Sequence, residues 1–172
     1  DGSYSICNVV GADEYANGVD DNAFTNGAAI RALEYACEAA RICNEPVPEI
    51  WKEVGKGIRI LRFKDGVTRE HATYNGEMIK QADVNLLGYP LYFVGDAESQ
   101  KKDMEYYVDK IDPQNGPAMS YSVFCVQYAR MGDAKRAYEM FCRCYQPNLR
   151  APFGVLAETP TSDNPYFMTG AG

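Results

Sequence analysis

A single histidine, His71, stands in 172 residues. It excludes chemistry that needs several imidazoles, such as histidine-rich zinc sites and two-histidine proton relays, so carboxylates must do most of any acid–base work. No C-x-x-C pair occurs among the six cysteines, Cys7, Cys37, Cys43, Cys125, Cys142 and Cys144, which removes the usual redox and zinc spacings. A Cys142–Cys144 bridge would be strained on a helix. Buried free thiols are therefore expected, a usage that fits a cytoplasmic compartment, with a periplasmic or secreted setting left open. No N-x-S/T acceptor is present. Apolar runs of about 18 residues are missing, and the opening Asp-Gly-Ser-Tyr lacks the basic and apolar regions of a leader. Neither a membrane span nor a targeting segment is expected. Basic runs are absent too: 17 Lys and Arg face 24 Asp and Glu, a formal net charge of −7. Nucleic acid, which demands clustered cations, is a poor partner.

What the sequence does contain is helical periodicity. Ala28, Ala29, Ala32, Leu33, Ala36, Ala39 and Ala40 recur at three- and four-residue steps and predict a helix from Asp21 to Cys43. Pro46 and Pro48 open a second, from Pro46 to Ile58, with Ile50, Trp51 and Val54 on one face. Residues 61–76, holding Asp65-Gly66 and Asn75-Gly76, read as a loop after a short strand at Ile58 to Leu61. Two further pairs are expected: Met78 to Val94 with Ala97 to Ile111, and Met119 to Met131 with Ala134 to Tyr145. Each is joined through Gly-Asp-Ala, at Gly95-Asp96-Ala97 and Gly132-Asp133-Ala134, so the sequence predicts a repeat of helical hairpins with an apolar inner helix ahead of an amphipathic outer one. Long loops at Arg62 to Gly76, Asp112 to Pro117 and Gln146 to Tyr166 would gather at one end, where ordered loops commonly hold a site.

The densest chemistry lies in Gly11-Ala12-Asp13-Glu14-Tyr15 and the Asp20-Asp21-Asn22-Ala23-Phe24-Thr25-Asn26 run that enters the first helix. Asp20, Asp21 and Asn22 have an ordinary capping role available to them. A carboxyl group packed against Tyr15 is a candidate general acid, because an aromatic wall favours the protonated form.

These motifs, followed by Ile79-Lys80-Gln81-Ala82-Asp83-Val84, resemble glycoside hydrolase family 65, which contains acid trehalases, kojibiose-type α-1,2-glucosidases, glucosylgalactosyl-hydroxylysine glucosidases and disaccharide phosphorylases. The family's first motif usually reads Gly-Pro-Asp-Glu-Tyr. Ala12 replaces the proline here and is expected to loosen the loop. The resemblance implies an all-α fold, with residues 1–172 forming about half of an (α/α)6-barrel catalytic domain whose flanking β-domains lie outside the chain. Both chain ends look cut, so a fragment is expected, with any oligomer formed through the missing domains.

By the same resemblance, Glu14 is the general acid, and Lys80 and Gln81 hold the nonreducing glucosyl unit. Asp13 and Tyr15 are grouped with them as substrate-binding residues. Glu158, in Pro152-Phe153-Gly154-Val155-Leu156-Ala157-Glu158-Thr159, matches the hydrolases' general base. Phosphorylases of the family carry a His- and Ser-rich segment where this chain has Asn115-Gly116-Pro117-Ala118-Met119-Ser120, leaving only Ser120 and Ser122. Inverting hydrolysis of an α-glucosidic bond, with no cofactor and no metal, is thus the expected activity. A phosphorylase releasing β-glucose 1-phosphate and a non-catalytic helical-repeat module are the alternatives. Glu70, Glu77 and Asp83 compete for the base on residue type alone, His71 is a loop or substrate-edge residue, and Asn164-Pro165-Tyr166-Phe167 offers an aromatic wall for a sugar or for the core.

Overall fold

The computed structural model describes residues 2–93, 96–162, 164 and 166–171. Five helices of nine to twenty residues carry the chain: α1 (Ala23–Ile42), α2 (Glu49–Gly57), α3 (Ala97–Tyr107), α4 (Met119–Arg130) and α5 (Ala134–Tyr145). A two-residue hairpin follows, β1 (Leu149–Arg150) against β2 (Val155–Leu156), and then a single turn, α6 (Met168–Ala171). The fold is mainly helical, and none of its described helices is long and apolar enough to cross a membrane.

Local chemistry sets the helix starts. Asn22 accepts from Thr25 N (2.9 Å) and Thr25 Oγ1 (2.8 Å) and so caps α1. Asp96 accepts from Ser99 N at 2.7 Å and caps α3; Asp133 accepts from Arg136 N at 3.0 Å and caps α5. The two Gly-Asp-Ala tripeptides are therefore start signals for α3 and α5. Gly132, at φ +78°, ends α4 in the left-handed region before Asp133 begins the next helix. Gly95 lies outside the described residues, as does Val94.

The helix expected from Met78 to Val94 is not there. Among the described residues of that span, the only helical element is a 3-10 turn at Val84–Leu87. The apolar residues are nonetheless at the centre of the core, with Ile79 and Leu87 at 0% exposure among Met104, Tyr107, Ile111, Phe124 and Tyr128. The reason is where the backbone N–H groups go: Ile79 N donates to Lys110 O (2.9 Å), Lys80 N to Asp13 Oδ1 (2.7 Å) and Ala82 N to Ser120 Oγ (3.1 Å). Groups committed to distant partners cannot close an i to i−4 ladder. The hairpin repeat consequently holds for α1–α2 and α4–α5 but not for the middle pair. Instead of the short strand at Ile58 to Leu61, only an isolated bridge joins Ile58 to Tyr4.

Of the alanines in α1 only Ala23 is buried, and Ala32 and Ala39 of the expected stripe are exposed. Gly27 faces the 3-10 turn so closely that a Cβ there would lie 2.4 Å from Leu87 Cδ2, and Ala23 is fully buried beside it. The cysteines are only partly as expected: all six are free thiols, but Cys37 alone is buried, and Cys7 and Cys43 are exposed.

Candidate active site

Two segments distant in sequence, 11–15 and 79–83, are stitched together by reciprocal side-chain-to-backbone bonds. From one side the fully buried Asp83 Oδ2 accepts from Ala12 N (2.8 Å), Asp13 N (3.3 Å) and Asn22 Nδ2 (2.9 Å), while its Oδ1 accepts from Phe24 N (3.3 Å). From the other, Asp13 Oδ1 accepts from Lys80 N (2.7 Å) and Tyr15 N (3.2 Å), and Gln81 Nε2 donates to Ala12 O at 2.5 Å. Gly11 is required at this junction, since a Cβ would lie 2.4 Å from Asn22 Nδ2 and 2.6 Å from Asp83 Oδ2. Burial pushes the Asp83 carboxyl up to about 6, against the opposing pull of Asn22 and the three N–H donors.

Glu14 and Lys80 project from the two stitched segments and form an ion pair, with the Glu14 side chain 56% and the Lys80 side chain 23% exposed. Pairing with Glu14 holds the Lys80 ammonium above its usual range, and the charge of Glu158 acts in the same direction. One cation therefore sits in the field of carboxylates from both ends of the chain.

The Glu158 segment has its own supports. Buried Asn148 donates to Ala157 O (3.0 Å) and Glu158 O (2.9 Å), and Ala118 N donates to Glu158 O (3.0 Å). Arg150 reaches past it to Thr159 O (3.0 Å) and Pro160 O (2.7 Å). Thr161 Oγ1 donates to Gln114 O at 3.1 Å and ties this loop to the Asp112–Pro117 turn. Within that turn Asp112 accepts from Gln114 N (2.8 Å) and Asn115 N (3.0 Å), the N–H of Asn115 above all holding its carboxyl well below the usual carboxylate range.

Each sequence-predicted residue thus has a position. Tyr15 is half exposed, and its hydroxyl donates to Asp112 rather than walling the acid pair. Asp13, expected among the substrate-binding residues, is 2% exposed, and its Oδ1 accepts from the backbone N–H groups of Tyr15 and Lys80. Gln81 keeps its carbonyl oxygen for other partners while its amide nitrogen is committed to Ala12. Among the rival acids, Glu70 and Asp83 are at 0% exposure, and Glu77 accepts from Asn75 N at 2.7 Å. Ser120, buried, accepts from Ala82 N, and Ser122 donates to Met119 O at 2.6 Å. His71 packs edge-on to Tyr74, 5.6 Å between centroids, and burial lowers its basicity.

Of the aromatic wall, Pro165 lies outside the described residues. Tyr166 and Phe167 line a cavity of about 450 Å³ with Phe141, Tyr145 and Leu156, against α5 and the hairpin. Sequence reasoning missed Asn148, Arg150 and Asp112. Their signal, a polar residue two to ten positions from a motif, is common to any loop.

These features make an acid-bearing loop locked to a Lys-Gln segment. Residues 1–74 match the model of the Glycosyl hydrolase family 65 central catalytic domain. The chain is 48% identical over 171 residues to a kojibiose hydrolase of Mucilaginibacter mallensis, an alignment covering 99% of this chain and 25% of the relative. It is 38% identical over 175 residues to a protein-glucosylgalactosylhydroxylysine glucosidase of Dictyostelium discoideum (98% and 24%) and 34% identical over 176 residues to a periplasmic acid trehalase of Saccharomyces cerevisiae (98% and 14%). A solved structure of a candidate kojibiose phosphorylase from the human microbiome superposes with a TM-score of 0.65 at 17% identity, covering 96% of this chain and 31% of that one. The similarity to these relatives runs along essentially the whole of this chain. The chain spans about a quarter of the length of the first curated relatives it matches.

Proposed function

We propose that the protein is an inverting glycoside hydrolase that releases glucose from α-linked disaccharides or terminal glucosyl units, with Glu14 as general acid and Glu158 as general base. The observation that carries this reading is the position of Lys80, ion-paired with Glu14 and within the field of Glu158. Glu14 protonates the glycosidic oxygen as it leaves; Glu158 takes a proton from a water that attacks the opposite face of the ring. Lys80 releases Glu14 on sugar binding and donates to a hydroxyl of the glucosyl unit, assisted by the free face of Gln81. That exchange leaves Glu14 free to carry the proton it must transfer.

Hydrolysis is favoured over phosphorolysis by the serines. Ser122 donates its hydroxyl proton to Met119 O, and Ser120, which accepts from Ala82 N, is buried, so neither presents an exposed, uncommitted O–H to an anion cradle. Kojibiose-type or glucosylgalactose-type substrates are preferred over trehalose, in line with the names of the relatives at 48% and 38% identity. The helical hairpins form about half of an (α/α)6 barrel, with the remaining helices and the β-domains supplied elsewhere in the polypeptide.

The test is product analysis of the full-length enzyme on kojibiose and trehalose, with and without phosphate. β-Glucose as the first product, indifferent to phosphate, supports the reading. β-Glucose 1-phosphate as the main product overturns it in favour of a phosphorylase, and α-glucose as the first product removes the single displacement.

A further inference from the structure

Glu70 is a completely buried acid that the proposed chemistry does not use. Its backbone is fixed: Glu70 O accepts from Ala23 N at 2.7 Å and from Asn22 Nδ2 at 3.4 Å, holding the residue against the start of α1. Its side chain is not fixed by any ordinary donor. Neither carboxyl oxygen receives an N–H or O–H among the described residues, yet the Asp13 side chain lies within hydrogen-bonding reach. Two carboxyl groups in that relation are both acceptors when ionised, so the contact is repulsive unless one of them holds a proton.

The environment decides which one. Asp13 already accepts from the backbone N–H groups of Lys80 and Tyr15. Glu70 has no such donors. The titratable groups facing it are Asp13, Asp83 and Glu77, Tyr74 from its own segment and Tyr107 from α3, and none is cationic.

We propose that Glu70 is a positioning residue: a neutral carboxylic acid that donates its proton to Asp13 and so fixes the junction from which Glu14 and Lys80 project. Burial first, and then the charges of Asp83 and Asp13, push the Glu70 carboxyl up to about 9, which agrees with a retained proton at neutral pH. A carboxylate in this position would drive Asp13 from Lys80 N and unlock the acid loop from the Lys-Gln segment. The proposal rests on the reading of Glu14 and Lys80 as site residues only for its consequence in catalysis; the protonated pair itself does not depend on it.

The experiment uses the full-length enzyme and two variants. Glu70→Gln keeps a donor toward Asp13 without a titratable proton, and Glu70→Met keeps the volume without a donor. Glu70→Gln should hold kcat on kojibiose within about threefold of wild type, whereas Glu70→Met should lower it about 10- to 100-fold with a smaller change in KM, the scale of a misplaced catalytic group. Infrared spectra at neutral pH should show a protonated carboxylic-acid band in wild type that Glu70→Gln removes. The decline of wild-type folding stability from mildly acidic to mildly alkaline pH should flatten in Glu70→Gln, because the native acid keeps a proton that the unfolded chain releases.

Equal activity of Glu70→Met and wild type, inactivity of Glu70→Gln, or an unchanged infrared band would each overturn the proposal. If Glu70→Met does not fold, the infrared and stability arms decide alone. If the enzyme hydrolyses no α-glucoside at all, the proposed function fails, and the infrared band still decides the state of Glu70.

Discussion

The Tyr15 hydroxyl donates to Asp112 Oδ2 at 2.8 Å across 97 positions of sequence. That bond ties the acid-bearing loop to the turn whose Gln114 carbonyl holds Thr161, three residues past Glu158. The proposed acid and base thus share a mechanical frame on the exposed side of the site. Tyr15→Phe should leave the thermal midpoint nearly unchanged, since both partners are at the surface. It should lower kcat several-fold, because relative placement of two carboxylates is what single displacement requires. Steady-state kinetics beside a thermal melt separates the two effects; an unchanged kcat would remove Tyr15 from the frame.

Glu14→Gln in the full-length enzyme should reduce kcat on kojibiose about 10²- to 10⁴-fold, the usual contribution of a positioned acid, with KM little altered. On α-glucosyl fluoride, whose leaving group needs little protonation, the loss should be far smaller. Turnover of the disaccharide at the wild-type rate would refute the assignment of the acid.

Ala12 stands where the family that the chain resembles usually has proline, and the sequence alone suggests a looser loop. The structure gives the opposite balance, because Ala12 N donates to the buried Asp83 at 2.8 Å. Proline has no such donor. Ala12→Pro should therefore destabilise the protein by about 1–3 kcal/mol, the cost of leaving a buried charged acceptor short of one partner, despite the entropy it removes from the unfolded chain. Denaturant midpoints would check this, and a gain in stability would show that the loop's stiffness outweighs the bond.

Asp83→Asn should also cost about 1–3 kcal/mol, since the amide offers one acceptor oxygen and turns its own N–H groups toward donors. The pH dependence should change with it. Because burial raises the native carboxyl from 3.8 to about 6, the unfolded chain ionises first as pH climbs, and stability falls across that window. In Asp83→Asn that share of the slope disappears. Unfolding curves between pH 4 and 6 measure it; a slope unchanged by the substitution would mean that Asp83 is ionised throughout.

Helices α1 to α5 are legible from their apolar spacing, and α1, α3 and α5 also from their caps Asn22, Asp96 and Asp133. Residues 78–94 are not. Their spacing satisfied a helical stripe, but Asp13, Lys110 and Ser120 compete for the N–H groups that a helix would need, and no local pattern reports such partners. Gly88 and Pro90, inside the expected helix, were the available warning. The motifs single out Glu14, Lys80 and Gln81, which the structure brings to one junction, and on residue type Glu70 and Asp83 are rivals for the base. Burial separates them, and burial depends on which distant segments fold over an acid, information that residue type does not hold.

The commitment of the Ile79, Lys80 and Ala82 amides to residues 13, 110 and 120 also sets an order in time. This stretch has no regular structure to form alone beyond the short turn that follows it, so it must wait until three remote segments have arrived, a closure that is entropically slow. The junction is then assembled after the helices that surround it, and these amides should exchange with solvent only when those helices separate.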